Sequence, residues 1–217
     1  MPGVTISAGY GAGGSVVAPA VARLLELPLL DRAISARVAA QLHVSVQEAE
    51  GGAVRRSLTE RFFSALAPLT ADVLAVGTDG APGDLGEPLD EAGQFRAQAE
   101  AIMRAALASG AVILGRAGAA AFRDEPGVLR VRLFGPAGAR IAQAVRFGDV
   151  DEATARQRLA EVDRARAQYV RRLYRADIND PELFNLHIDS TVLPLKACAQ
   201  LIAAAYRALP KSGRASA

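Results

Sequence analysis

Two rhythms of apolar and polar positions run along this chain. Val4 to Ser7, Ala111 to Leu114, Val128 to Phe134 and Leu183 to Asp189 are short, mostly apolar runs, and they predict four buried strands. Between them the apolar spacing changes to that of helices. Val16, Val17, Ala20, Val21, Leu24 and Leu25 follow the first strand, and Gln94 to Leu107 carries apolar residues at Phe95, Ala99, Ile102, Met103, Ala106 and Leu107. Ala137 to Val145 follows the third strand, with Pro136 suited to a first helical turn. Asp151 is placed to cap a long polar helix running to about Arg175, and Leu195 to Leu209 supplies an apolar closing helix. Strands alternating with helices predict an α/β fold, a parallel sheet covered on both faces. In such sheets ligands bind at the carboxyl ends of the strands.

One stretch breaks the rhythm. Residues 77–93 hold Asp-Gly, Pro-Gly, Leu-Gly and Glu-Pro steps with few apolar anchors, and read as a long mobile loop. The tail 210–217 is small, polar and basic and reads as disordered. The 217 residues suit one domain over 1–209, with room for a small subdomain.

Composition narrows the class. The formal charge of +2 balances many arginines and only two lysines against interspersed acids, which is no nucleic-acid signature. Cys198 is the single cysteine and sits in an apolar helical pattern, so no disulfide framework is expected, as in a reducing cytoplasm. No run reaches the roughly 18 apolar residues of a membrane span. A cytoplasmic protein without membrane insertion is the expectation. The apolar face of 195–209 fits either the core or a second copy, which leaves a homo-oligomer open. His43 and His187 are isolated and form no metal constellation, and His187 on a strand reads as a packed histidine.

The chemistry concentrates at Ala8-Gly9-Tyr10-Gly11-Ala12-Gly13-Gly14-Ser15, a glycine-rich corner between the first strand and the first helix. Backbone N–H groups and the positive end of a helix dipole meet there, and residues without side chains let an anionic oxygen approach. Two phosphate patterns compete. The phosphate-loop pattern G-x-x-x-x-G-K-S/T keeps only Gly13 and Ser15, since Ala8 replaces its first glycine and Gly14 its lysine. The dinucleotide pattern G-x-G-x-x-G is met by Gly9, Gly11 and Gly14, with Asp31 about 20 residues past Gly11. The bland alternative is a tight loop that binds nothing.

The corner, Leu27 to Arg32, Val112 to Arg116, Asp163 to Tyr169 and Phe184 to Ser190, taken in order, resemble the cytidylate kinase-like family from about Val4 to about Ala204. The resemblance implies a P-loop NTPase-like three-layer sandwich with a helical lid, here about 151–175. It implies transfer of the terminal phosphoryl of ATP, with Mg2+, to CMP or a related monophosphate, so nucleotides are the expected partners. The chain departs from true cytidylate kinases in lacking the lysine at Gly14 and in holding Ala117 where an acid follows their Gly-Arg. The segment after Asp31 and Arg32 also lacks the threonine and glycine of their monophosphate site.

Phosphoryl transfer needs two substrates in line and cations on the moving charge. Arg116, at the end of an apolar strand, is a candidate catalytic cation, with a surface ion pair as the plain alternative. Arg164 and Arg166 fall where the resemblance puts lid arginines, and Asp163 and Arg166 stand at i and i+3, placed to hold each other. Ser15 stands where a Mg2+-binding hydroxyl would, or as a helix N-cap. Asp31 and Arg32 join Gly9, Gly11, Gly13 and Gly14 as candidate nucleotide contacts, and Arg140, which begins the helix after the third strand, reads as a surface residue, with cover over a nucleotide base as its alternative. Two other functions remain: a nucleotide-binding regulator without turnover, and a dinucleotide-dependent oxidoreductase.

Overall fold

A computed structural model of the chain describes residues 2–31, 87–148 and 150–210. By packing, the chain divides into two compact units, Met1–Leu30 with Asp90–Ala217, and Asp31–Leu89. Most of the second unit, with Arg32, His43 and 77–86 of the expected loop, lies outside the described residues, as does 211–217.

The first unit is built on five parallel strands: β1 (Gly3–Ala8), β2 (Leu29–Leu30), β3 (Ala111–Leu114), β4 (Val128–Phe134) and β5 (Leu186–Asp189). Their order across the sheet is β2-β3-β1-β4-β5. The helices are α1 (Gly14–Leu25), α2 (Glu87–Ala108), α3 (Gly118–Ala121), α4 (Ala137–Gly148), α5 (Glu152–Tyr174) and α6 (Leu195–Ala208). Side chains alternate across the sheet. Val4, Ile6 and Ala8 of β1, with Leu129, Val131 and Leu133 of β4, join Val17 and Val21 of α1 and Cys198 and Ile202 of α6 in one core. On the opposite face Ile113 and Val128 pack with Met103 and Leu107 of α2 and with Phe122. Apolar material on both faces gives the three layers of an α/β fold.

The long helix matches its expectation closely. Asp151 is the N-cap of α5, its Oδ1 accepting the Thr154 N–H at 2.7 Å, and Arg175 ends the helix with a left-handed φ of 50°. Three expectations need correction. The strand expected over Leu183–Asp189 starts only at Leu186. Pro181–Leu183 is instead a 3-10 turn, because Asp180 caps it by accepting the Glu182 N–H at 2.9 Å. The helix expected from Gln94 starts at Glu87, so the loop expected over 77–93 is helical in its last part. Pro88 falls in the first turn, where a missing N–H breaks no helical bond. β2 was not anticipated, being only two residues long and specified by its pairing with Val112 and Ile113.

The buried core and the surface should respond differently to truncation. Phe122 is 1 % exposed and Leu201 48 %. Phe122→Ala should cost about 3–5 kcal/mol of unfolding free energy and Leu201→Ala within about 0.5, measured by denaturant titration.

Candidate functional site

The glycine corner folds as a sharp turn from β1 into α1. Gly11 and Gly13 both have φ of +72°, a conformation that costs an L side chain strain, and Gly13 is the N-cap of α1. Val16 and Val17 donate to the Gly13 carbonyl at 3.0 and 2.9 Å, so the N–H groups of Gly13, Gly14 and Ser15 precede the first intrahelical bond. Gly14 is buried and Ser15 exposed. Ser15 lies inside the first turn and is not the N-cap, which corrects that half of its reading.

The corner is also closely packed. A Cβ on Gly9 would meet the Arg140 guanidinium at 2.6 Å, one on Gly11 the Arg140 carbonyl at 2.1 Å, and one on Gly13 the Leu195 side chain at 2.5 Å. At Gly11 glycine is therefore required by the approach of the α4 backbone, independently of any ligand, whereas Gly9 and Gly13 face side-chain ends. Gln143 of α4 donates to the Gly11 carbonyl at 2.8 Å, and the buried Ser190 hydroxyl to the Ala12 carbonyl at 2.8 Å.

One carboxylate organises the side facing α5. Asp163 Oδ1 accepts the Tyr10 backbone N–H at 2.9 Å, while Oδ2 takes Arg140 Nη1 at 2.7 Å. Arg140 also donates to the carbonyls of Tyr10 and Gly135, each at 2.9 Å, and its side chain is only 13 % exposed. The surface role expected for Arg140 is thus overturned: it is the central clamp between α4, α5 and the loop. Asp163 and Arg166 do share one face of α5, but the contact drawing Arg166 inward is a 2.6 Å hydrogen bond from Nη1 to the Ala8 carbonyl. Arg164, between these two in the chain, is exposed on α5 and makes none of these loop contacts.

Arg116 follows the carboxyl end of β3 in an unusual backbone. Gly115, Arg116 and Ala117 have φ of 79°, 55° and 52°, and Ala117 is the N-cap of α3. Two successive non-glycine residues in the left-handed region cost about 1–2 kcal/mol each, a strain that needs a reason. The Arg116 charge lies near the Tyr169 hydroxyl, whose pKa burial pushes up to about 12 with Arg116 opposing the rise. Asp31 is exposed directly after β2. His187, expected to be packed, is exposed on the edge strand β5; its Nε2 lies 3.2 Å from the Pro181 carbonyl and its ring stands edge-on to Phe184.

Strand order separates the two phosphate patterns. In a dinucleotide fold β1 lies beside β2, whereas here β3 stands between them. The model of the cytidylate kinase-like family matches residues 3–192. The chain belongs to the cytidylate kinase-like family. As in its P-loop kinase-like fold generally, the glycine corner sits at the carboxyl edge of a parallel sheet. No curated protein matches this cytidylate kinase-like chain. Among solved structures, it is similar to an uncharacterized protein from Eubacterium ventriosum, with 16% identity, TM-score 0.60, and 95% of this chain and 98% of that one covered. A gluconokinase from Sinorhizobium meliloti overlays at TM-score 0.45 and 12% identity, covering 95% and 91%. A shikimate kinase from Acinetobacter baumannii in complex with shikimate overlays at 0.44 and 16%, covering 93% and 90%.

ATP with Mg2+, the usual donor of such kinases, finds a fitting set of groups here. The start of α1 offers N–H donors, and Ser15 a hard oxygen beside them. The described residues include no cluster of three or more His, Cys, Asp or Glu that could hold a metal. No helix of the described residues is long and apolar enough to cross a membrane. Sequence reasoning missed Arg140 as a clamp and Gln143 and Arg132 entirely. The one available signal was in β4, where Arg130 and Arg132 alternate with apolar residues and mark a polar sheet face.

Two outcomes test this geometry. Asp163→Ala and Arg140→Ala, combined in a double-mutant cycle, should show a coupling of about 0.5–3 kcal/mol in thermal or denaturant unfolding. The raised Tyr169 pKa favours its neutral form in the folded state. Its contribution is therefore complete below pH 10 and lost as the pH rises from 10 towards about 12. Tyr169→Phe should make stability fall less steeply across that window.

Proposed function

We propose that this protein is a phosphotransferase that moves the terminal phosphoryl of ATP, with Mg2+, to CMP or a related monophosphate. The observation that supports it is the convergence of Arg140 and Arg166 on a glycine corner whose helix N-terminus offers N–H donors to an anion. In this reading Gly9, Gly11, Gly13 and Gly14 shape the corner, Ser15 supplies the hydroxyl for Mg2+, and the bound metal–nucleotide brings charge neutralisation. Arg116 and Arg166 are the catalytic cations, taking over from the lysine that Gly14 replaces. Arg164 is a second lid cation, and Asp31 and Arg32 are the sequence's candidates for reading the nucleotide acceptor.

The strained turn at Arg116 supports its assignment, since an arginine stands in a left-handed conformation where glycine would be relaxed. Charge-assisted hydrogen bonds to the transferred group would form most strongly in the transition state, which is where they accelerate the reaction. Domain 1–209 acts as the catalytic unit, with 151–175 as its lid and the cytoplasm as its compartment.

A second reading is a nucleotide-responsive regulator without turnover, and one contact favours it. The Tyr10 N–H, a donor such a loop would offer to phosphate, is taken by the Asp163 carboxylate.

Product formation from ATP and Mg2+ across a panel of nucleoside monophosphates separates the two. Turnover with CMP or dCMP is expected, lowered about 100-fold or more by Arg116→Ala or Arg166→Ala. Unchanged turnover in both variants would remove these arginines from the mechanism, and nucleotide binding without product would favour the regulator. Arg116→Gly should keep or raise thermal stability while losing turnover, because it relieves the left-handed strain as it removes the guanidinium.

A further inference from the structure

Arg130 and Arg132 leave β4 on the same face of the sheet, opposite α1, and their surroundings differ sharply. Arg130 behaves as a staple. Its Nε donates to the Leu183 carbonyl at 3.0 Å, its Nη1 reaches the Phe122 and Arg123 carbonyls, and its backbone N–H donates to Asn185 Oδ1 at 3.0 Å. Arg132 has far less. Nη1 donates to the Ser7 hydroxyl at 2.9 Å, and Nη2 reaches Asn179 Oδ1 only at 3.5 Å.

A guanidinium carries five donors, and neither of these acceptors is charged. Among the described residues no carboxylate forms an ion pair with Arg132. The nearby Asp163 is held by Arg140 and by the Tyr10 N–H, and Arg140 itself repels Arg132. Burial pulls the Arg132 pKa down, as desolvation of a cation must. The guanidinium carbon lies over the Phe184 ring, 5.8 Å from its centroid, a contact that takes none of its N–H donors. The one nearby carboxylate is thus committed to Arg140, and a desolvated positive charge without its own anion is costly.

We propose that Arg132, with the Ser7 hydroxyl, forms an anion site on this sheet face that takes the phosphate of a phosphomonoester. Its position fits an acceptor: Ser7 lies two residues before Gly9, so the site and the glycine corner share the carboxyl end of β1. A planar fork of donors beside a hydroxyl suits the several oxygens of a phosphate. The acceptor role rests on the kinase reading above; the anion site does not.

Arg132→Met and Ser7→Ala, with wild type, would be melted in inorganic phosphate, CMP, acetate and chloride at equal ionic strength. Binding of a fluorescent ATP analogue would be followed in parallel. Because a partly desolvated cation lacking an anion opposes folding, Arg132→Met should melt at or above the wild-type temperature without phosphate. Phosphate should raise the wild-type melting temperature, and Arg132→Met should weaken phosphate binding about tenfold or more. Ser7→Ala should weaken it less. CMP protecting better than phosphate would identify the source as a nucleotide, and equal protection would point to the bare phosphate group.

Three outcomes would overturn the site: Arg132→Met melting well below wild type without ligand, phosphate protecting both proteins equally, or protection by acetate alone. The kinase reading fails separately. Loss of ATP-analogue binding by wild type, with phosphate protection still dependent on Arg132, would keep the anion site and remove its acceptor role.

Discussion

The central place of β1 in the sheet is the constraint on which the candidate site depends. β1 is hydrogen-bonded to β3 on one side and β4 on the other, so its carboxyl end gathers what both neighbours carry. β3 ends in the left-handed turn with Arg116, β4 contributes Arg132 against Ser7, and the chain beyond Ala8 becomes the glycine corner. A parallel sheet points all of its strand ends the same way, which concentrates chemistry at one edge and leaves the opposite edge to stability.

Packing and chemistry make overlapping demands on the same residues. Gly11 and Gly13 are needed for their backbone angles, and Gly11 also because the α4 backbone approaches within collision distance of any Cβ. Arg140 neutralises Asp163, ties the loop to α4 and fills the space over Gly9. A lysine-free loop is thus surrounded by arginines, whose rigid forks are better suited than an ammonium to hold fixed positions among carbonyls.

Much of this was legible in the sequence where the signal is local. The cap at Asp151, the period of α5, the apolar run of β3 and the glycine corner each declare themselves within a few residues, and all recur in the structure. What escaped is specified by partners distant in the chain. β2 exists only through its register with β3, and Arg140 looks like an ordinary surface arginine until Asp163 and Tyr10 are brought to it by folding. The start of β5 was misjudged because Leu183 and Phe184 are apolar for a different reason: they are buried beside Ala119, at a 3-10 turn rather than in the sheet. Alternating arginines in β4 were the exception, a local signal of a polar face.

The hold of Asp163 on the Tyr10 N–H has a thermodynamic corollary. Any phosphate that uses that donor competes with a carboxylate tethered to the same molecule, whose effective concentration is far above that of a free solute. Apparent affinity is then the intrinsic affinity reduced by the fraction of molecules in which the contact is open. Changes in α5 alone can adjust that fraction, and so set how readily the donor is released to an anion, without changing a residue of the glycine corner.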